Sequence, residues 1–178
     1  MTIAKMTSRP FPPLPAHQPA RWALAAAVAI AAAGSSPALA EHGEVLRNDP
    51  AECRAGAGPA VRLSVTGIKA GTGSIRVQLY RGTKEDWLVS GRWLNRIEVP
   101  ARAGEMNFCI PVPRPGNYAI AVRHDVNGNG ETDIMQDGGA MSNNPSINIF
   151  NLGKPGVGKT VFPVGDDVKP MAVRMRYL

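Results

Sequence analysis

The stretch that decides the fold class is NYAIAVRH, residues 117–124, in which a large side chain occupies every second position. One face of this stretch carries Tyr118, Ile120, Val122 and His124. The other face carries Ala119, Ala121 and Arg123, which are small or basic. A period of two predicts a β-strand that buries one face in the core of the protein.

The same alternation recurs in other short segments that are bounded by Gly, Pro or Asn. These segments are VRLSV (61–65), SIRVQLY (74–80), NRIEV (95–99), MNFCIPV (106–112) and MAVRMRYL (171–178). Many half-buried strands with little helix predict an all-β fold, an antiparallel sandwich of two sheets.

The segments between these strands give the expected connections. The glycines of GIKAGTGS, residues 67–74, predict a hairpin turn between the first two strands. The prolines of IPVPRPGNY, residues 110–118, predict a sharp crossing from one strand to the next. TKEDWLVSGRWL, residues 83–94, is the one stretch of the exported part that favours a turn or two of helix.

The N-terminal region predicts export. Arg21 precedes the apolar run WALAAAVAIAAA (22–33), and GSSPALA then ends in an Ala-x-Ala site, which together are typical of a secretory signal. We therefore expect a signal peptide over 1–40, a flexible arm over 41–60 and a sandwich domain over 61–178. The expected location is periplasmic or secreted, with no membrane span after cleavage, and a retained membrane anchor is the alternative.

The charge distribution argues against a nucleic-acid partner. The whole chain carries a formal charge of +6, but three of its 20 Lys and Arg residues lie in the predicted signal, which contains no acidic residue. The remaining basic residues are scattered, with no dense basic run, so they are expected to form a solvated surface.

Both cysteines, Cys53 and Cys109, lie in the exported part of the chain. In an oxidising compartment they are most simply a disulfide that ties the N-terminal arm to a central strand. Two buried thiols are the alternative, and the lack of C-x-x-C spacing disfavours a catalytic pair.

NLGKPGVGKTV, residues 151–161, contains the spacing of a nucleotide-binding phosphate loop. Such a loop needs a helix that begins near Thr160, whose N–H groups converge on the phosphate. TVFPVGDDVKP follows instead, with β-branched residues and Pro163, which predicts strand or coil. The sequence therefore predicts no nucleotide site.

HDVNGNGETD, residues 124–133, predicts a calcium loop, because its spacing begins D-x-[DN]-x-[DN]-G. Alternate side chains in a tight loop converge on one point, and a hard cation prefers oxygen ligands. The expected ligands are Asp125, Asn127, Asn129 and Asp133 through side-chain oxygens and Glu131 through its carbonyl. The twelfth place is Gln136 rather than a carboxylate, so the expected Kd is only about 10⁻⁴ to 10⁻³ M.

A hairpin turn without metal is the competing interpretation of this loop. Asn-Gly pairs are strong turn signals, and the Asp side chains would then hydrogen-bond to loop amides. Another metal, bound through His124, is a third interpretation, although a histidine at a strand end is more often a satisfied structural residue.

GSIRVQLY, FCIPVPRPGNYAIAVRHDVNGNGETD, SNNP and the closing VRMRYL resemble the bacterial secreted family catalogued as domain of unknown function 2141. The resemblance covers about residues 61–178, with Met141 where the family usually has Phe. It implies an exported sandwich that is immunoglobulin- or transthyretin-like, with Cys53 paired to Cys109, and it implies no assigned activity.

These observations predict an exported, non-enzymatic module whose calcium loop presents a surface to an envelope protein or a glycan. His124, Ser142, Asn143 and Asn144 are expected to support this loop. Trp87 and Trp93 would suit a sugar-stacking platform, but buried positions are the expected home for them. The alternatives are a hydrolase-like enzyme that uses His124 with Asp125, or with Ser142, and a purely structural module.

Overall fold

Ten β-strands make up most of the regular structure in residues 43–178, the part of the chain that the computed structural model describes. The signal predicted over residues 1–40 lies outside this range. The strands are β1 Glu44–Leu46, β2 Ala60–Ile68, β3 Ser74–Arg81, β4 Asn95–Pro100, β5 Gly104–Pro111, β6 Gly116–Asp125, β7 Gly138–Met141, β8 Phe162–Val164, β9 Val168–Arg174 and β10 Arg176–Tyr177. Short 3-10 turns occupy Pro50–Cys53, Ile149–Asn151 and Val157–Lys159.

The strands form two sheets, which confirms the predicted sandwich. The larger sheet has the order β1-β4-β3-β6-β7-β10, and β8 also pairs with β6. The smaller sheet has the order β5-β2-β9. The sheets are mixed rather than antiparallel throughout, because β1 pairs with β4 in parallel and β2 pairs with β9 in parallel. Both parallel pairs join strands that are distant in sequence, which local alternation does not reveal.

The core lies between the sheets and is built from the alternating apolar residues. Its fully buried members include Val61, Leu63, Val65, Ile75, Val77, Leu79, Phe108, Ile110 and Ile120. Burial of one such side chain contributes about 1.5–3 kcal/mol, so this cluster supplies most of the driving force for folding. On β6 the predicted large face is buried, and Arg123 points to the outer face of the larger sheet.

The connection over residues 67–74 is not a hairpin turn, which corrects the prediction. It carries the chain from β2 in the smaller sheet to β3 in the larger one. Gly73 is required there, because its φ is +70° and a Cβ atom would lie 1.7 Å from the carbonyl oxygen of Asp125. The glycines therefore serve a close approach of two backbone segments.

In the segment 41–60, expected to be a flexible arm, the described residues include regular structure. This segment contains β1 and the 3-10 turn Pro50–Cys53, and Cys53 forms a disulfide with Cys109. Asn48 binds the edge of β5, since its side chain donates to Asn107 O at 2.9 Å and accepts from the Cys109 N–H at 3.0 Å. The Asn48 hydrogen bonds and the disulfide therefore connect this segment, which shows no hydrophobic period, to β5.

Two other segments differ from or extend the expectation. Residues 83–94 form turns rather than helix, and Leu88 has a φ of +56°, which α-helix does not allow. The predicted last strand is divided between the sheets, because β9 belongs to the smaller sheet and β10 to the larger. Within residues 43–178 no helix has the length and apolar character needed to cross a membrane.

Candidate functional site

The loop between β6 and β7, residues 126–137, is organised around Asp125. This carboxylate is 2% exposed. It accepts hydrogen bonds from the backbone N–H groups of Gly128 and Gly130, each at 2.8 Å. Both glycines have positive φ, of +71° and +81°, which lets their N–H groups turn inward. Asp125 therefore fixes the shape of the predicted calcium loop from its base.

The two asparagines of the loop act as local turn formers. Asn127 Oδ1 accepts from the Asn129 N–H at 3.1 Å, and Asn129 Oδ1 accepts from the Glu131 N–H at 2.8 Å. Their side-chain amino groups both donate to Asp133 Oδ2, at 2.8 and 2.9 Å. The two asparagines and Asp133 therefore come together as donors and an acceptor, whereas Asp125 accepts from glycine amides, so the predicted residues are not one common set of acceptors.

Arg123 supplies a positive charge to this loop. Its guanidinium group donates to Gly130 O at 2.9 Å, to Glu131 O at 2.7 Å and to Thr132 Oγ1 at 2.9 Å. It also lies 3.5 Å from the carboxylate of Asp125. The carbonyl of Glu131, predicted to bind calcium, therefore accepts a hydrogen bond from an arginine, and residue spacing alone does not reveal this contact.

The oxygen atoms of the loop are thus largely engaged. Asp137 is buried, and its carboxylate accepts from the N–H groups of Val126 at 3.1 Å and Asp133 at 3.0 Å. In the described part of the chain, no three His, Cys, Asp or Glu side chains are grouped so as to hold a metal ion. A cation bound at Asp133 Oδ2 would have to displace the hydrogen bonds from the two asparagines.

His124 is a buried structural residue at the end of the core face. Its Nε2 lies 2.9 Å from Thr72 O, and because a carbonyl only accepts, Nε2 carries the hydrogen. Its Nδ1 then accepts from the hydroxyl of Tyr177 at 2.7 Å, and that hydroxyl accepts from the Lys69 N–H at 3.1 Å. Burial raises the pKa of Tyr177, partly offset by this Lys69 bond. Since His124 and Asp125 are consecutive in β6, their side chains lie on opposite faces of the sheet.

The SNN segment binds backbone groups of other elements rather than the 125–133 loop. Ser142 is fully buried, and its Oγ accepts from the Ile120 N–H at 3.0 Å and donates to Thr160 O at 2.6 Å. Asn143 donates to Val161 O at 2.9 Å. Asn144 bonds β9 of the opposite sheet, where it donates to Ala172 O at 3.0 Å and accepts from the Arg174 N–H at 2.8 Å. Asn144 therefore joins the two sheets, whereas Ser142 and Asn143 hold the 157–161 segment against the larger sheet.

The segment with the phosphate-loop spacing has a different structure from such a loop. Val157–Lys159 forms a single 3-10 turn, and β8, not a helix, follows Thr160. The Thr160 hydroxyl donates to Val157 O at 2.9 Å and is buried. The expected strand after Thr160 is confirmed.

A groove on the outer face of the larger sheet is the feature that sequence reasoning missed. It has a volume of about 340 Å³ and crosses β3, β4, β6 and β7 next to the 126–137 loop. Arg76 and Arg123 stand directly opposite each other on neighbouring strands in this groove. Arg76 is neutralised by Glu98, at 2.8 and 3.0 Å, and its hydrogen bonds lower the pKa of Glu98. The alternation of residues in β3 predicted that its polar side chains lie on one face, but it did not predict the groove that they line.

Arg96, on β4, also lines this groove; among the residues that the structure describes, the Nε atoms of Arg96 and Arg123 are both buried without a hydrogen-bond partner, and Arg96 differs from Arg123 in its ion pairing. The guanidinium carbon of Arg96 lies 4.2 Å from the centre of the Trp93 ring, a cation–π contact. Within residues 43–178 it makes no ion pair, and its Nε is buried without a hydrogen-bond partner. Burial, and next the charge of Arg76, lower the pKa of Arg96, while Glu98 acts in the opposite direction.

The two tryptophans considered as a sugar-stacking platform, Trp87 and Trp93, both make contacts with other residues of the protein. Trp87 is buried, packs edge-on against Tyr80, and donates from its indole nitrogen to Pro155 O at 2.8 Å. Trp93 is half-buried with Arg96 over one face. Sugar stacking on that face would require Arg96 to move.

The fold and these features define a disulfide-linked β-sandwich module with a polar loop and a basic outer groove. The chain belongs to the family described as "Uncharacterized protein conserved in bacteria (DUF2141)", whose model matches residues 63–172. The match runs from β2 to β9 and includes the loop, so the resemblance noted in the sequence is confirmed. No curated protein and no solved structure matches the chain.

Proposed function

We propose that this chain is an exported, non-enzymatic ligand-binding module of the periplasm or the cell exterior. The disulfide between Cys53 and Cys109 supports an oxidising compartment, since such bonds are rare in the cytoplasm. The ligand site is the outer-face groove, defined here as the surface lined by β3, β4, β6, β7 and the 147–154 segment.

The buried Nε of Arg96, which like that of Arg123 has no hydrogen-bond partner, together with the lack of an ion pair at Arg96 within the described residues, is the observation that carries this proposal. A buried polar atom without a partner costs about 1–3 kcal/mol, so its retention requires a reason. A guanidinium group presents a planar set of donors that matches a carboxylate or a phosphate. A bound anion would provide the missing hydrogen bonds, and the rigid sheet would hold the donors in place.

A ligand screen on the oxidised protein tests this function. Three anionic classes would be titrated, a carboxylate amphiphile, an acidic oligosaccharide and an acidic peptide, with chemical shifts of backbone amides as the readout. At least one class is expected to shift the amides of β3, β4 and β6 in the wild type and not in Arg96→Gln. If none of the three perturbs the groove, the proposed function is wrong.

Calcium binding by the 125–133 loop is the second candidate function, and the D-x-N-x-N-G spacing is what favours it. Asp133 would be the principal ligand, because one of its carboxylate oxygens makes no described hydrogen bond. At a calcium concentration of 100 times Kd, binding would stabilise the protein by about 2.7 kcal/mol.

Calorimetry and thermal melting with CaCl₂, with MgCl₂ as a comparison, test the calcium proposal. Binding heat and a rise in Tm are expected for the wild type and for the exposed-acid control Asp166→Asn, and their loss is expected for Asp133→Asn. A flat calorimetric trace together with an unchanged Tm in the wild type would show that the loop does not bind calcium.

A further inference from the structure

We propose that the natural ligand of the outer-face groove is an anionic amphiphile, a carboxylate on an aliphatic chain of medium length. This inference rests on the proposed function and specifies the chemistry of its ligand. The carboxylate would lie at Arg96, and the chain would lie along the apolar wall of the groove.

The charge of the groove selects an anion. Five basic residues line it, Arg76, Arg96, Arg123, Lys154 and Arg176, whereas Asp137 is the one acidic residue in the lining. Asp137 is used by two loop amides, Arg76 is paired with Glu98, and Arg123 is bonded to loop carbonyls.

Three cations therefore remain for a ligand. Arg96, Lys154 and Arg176 have no ion pair among the described residues. Arg96 lies deepest, because its Nε is inaccessible to solvent. A single carboxylate at Arg96 would thus meet an excess of positive charge that the protein itself does not neutralise.

The wall of the groove selects an aliphatic chain rather than a sugar. Most of its large apolar members are aliphatic, and Tyr80 and Trp93 are its aromatic members; the aliphatic side chains include Leu88, Ile134, Met141, Ile147, Leu152 and Leu178. Leu152 is 61% exposed, Ile134 39% and Leu178 38%, so apolar surface remains open at the rim. Burial of this surface against methylene groups contributes about 0.8 kcal/mol for each CH₂ group.

The aromatic rings do not offer an equivalent surface. Trp87 is buried against Tyr80, and one face of Trp93 is covered by Arg96. A pyranose that stacked on the covered face of Trp93 would have to displace Arg96. The volume of about 340 Å³ is at the lower end of the range for small-molecule sites, which limits the length of the chain.

The test compares three probes: decanoate below its critical micelle concentration, decanol below its solubility limit, and acetate. Calorimetry on the oxidised protein is expected to detect decanoate, with decanol and acetate weaker by roughly tenfold or more, because each lacks one of the two recognised parts. Arg96→Gln is expected to weaken decanoate by roughly tenfold or more. The matched control is Arg102→Gln, an exposed arginine outside the groove lining, which is expected to have no effect.

A second variant, Leu152→Ser, tests the apolar wall of the groove without changing any charge. Leu152→Ser removes apolar surface at a mostly exposed position, so the fold is retained, and it is expected to weaken decanoate by a few-fold without changing acetate. Equal decanoate affinity in the wild type and Arg96→Gln would overturn the inference, as would equal binding of decanol.

The failures of this inference and of the proposed function are distinguishable. If an acidic oligosaccharide or peptide shifts the groove amides in an Arg96-dependent way while decanoate does not, the amphiphile is wrong and the ligand-binding function stands. If no anion perturbs the groove, both are wrong.

Discussion

Removal of the Ser142 hydroxyl is the sharpest test of how β6 is held to the 157–161 segment that precedes β8. Ser142 is fully buried, and its Oγ is shared by two backbone groups, the Ile120 N–H at 3.0 Å and Thr160 O at 2.6 Å. Ser142→Ala deletes one oxygen atom and leaves both groups without this partner in a region that excludes water.

The expected loss of stability follows from these two contacts. A buried polar group that loses its partner costs about 1–3 kcal/mol, so two groups with partial relaxation give about 3 kcal/mol. For a domain of this size, 1 kcal/mol corresponds to about 4 °C in Tm, which predicts a fall of about 12 °C. Ser64→Ala is the matched control, because its hydroxyl donates to Glu105 at an exposed position, and a change within about 0.5 kcal/mol is expected.

Urea unfolding of the oxidised protein measures both variants. The slope m is expected to stay constant while the midpoint falls for Ser142→Ala. A loss below about 0.5 kcal/mol, or one equal to that of Ser64→Ala, would show that the hydroxyl does not join β6 to the 157–161 segment.

Three further predictions concern the rest of the fold. Replacement of both Cys53 and Cys109 by Ser is expected to destabilise the protein by about 2–4 kcal/mol, because the bond closes a loop across a sequence separation of 56, and urea midpoints with and without reductant check this. The pKa of Glu98 is lowered by Arg76, so the stability from this pair is present above the unfolded pKa and lost as pH falls through the folded pKa; Glu98→Gln is expected to flatten the stability profile in that acidic window, and identical profiles would contradict the pairing. Tyr177→Phe is expected to destabilise the protein by about 1–3 kcal/mol, because His124 Nδ1 and the Lys69 N–H both lose the Tyr177 hydroxyl as a hydrogen-bond partner. A melting temperature equal to that of the wild type would refute this hydrogen-bond network.

The sequence predicted where the polar loop lies, but it did not predict which atoms of the loop contact each other. The spacing around Gly130 indicated that the side chains of Asp125, Asn127, Asn129 and Asp133 converge, and they do share one hydrogen-bonded loop. Their roles as donors or acceptors depend on Arg123, which reaches the loop from the strand that precedes it. Such a reach depends on a side-chain conformation, which residue spacing does not specify.

The outer-face groove is a site that no sequence motif predicts, because it forms only in the tertiary structure. Arg76, Arg96 and Arg176 come from β3, β4 and β10, and each is an ordinary outward-facing residue in its own segment. Only strand order and register place them in one surface, since neighbouring strands lie about 4.8 Å apart. The unpaired state of Arg96 is likewise a property of its neighbours.

The amino-acid sequence alone determined the local structure of this protein: strands with a period of two, which face of each is buried, and turn residues that place a polar loop after β6. These follow from backbone geometry and the transfer of apolar side chains out of water, which act over a few residues. The tertiary structure decided which strands pair, that β2 and β3 lie in different sheets, that the N-terminal segment is ordered, and that a basic groove forms. These features depend on contacts between residues far apart in the chain, and a local pattern carries no information about such partners.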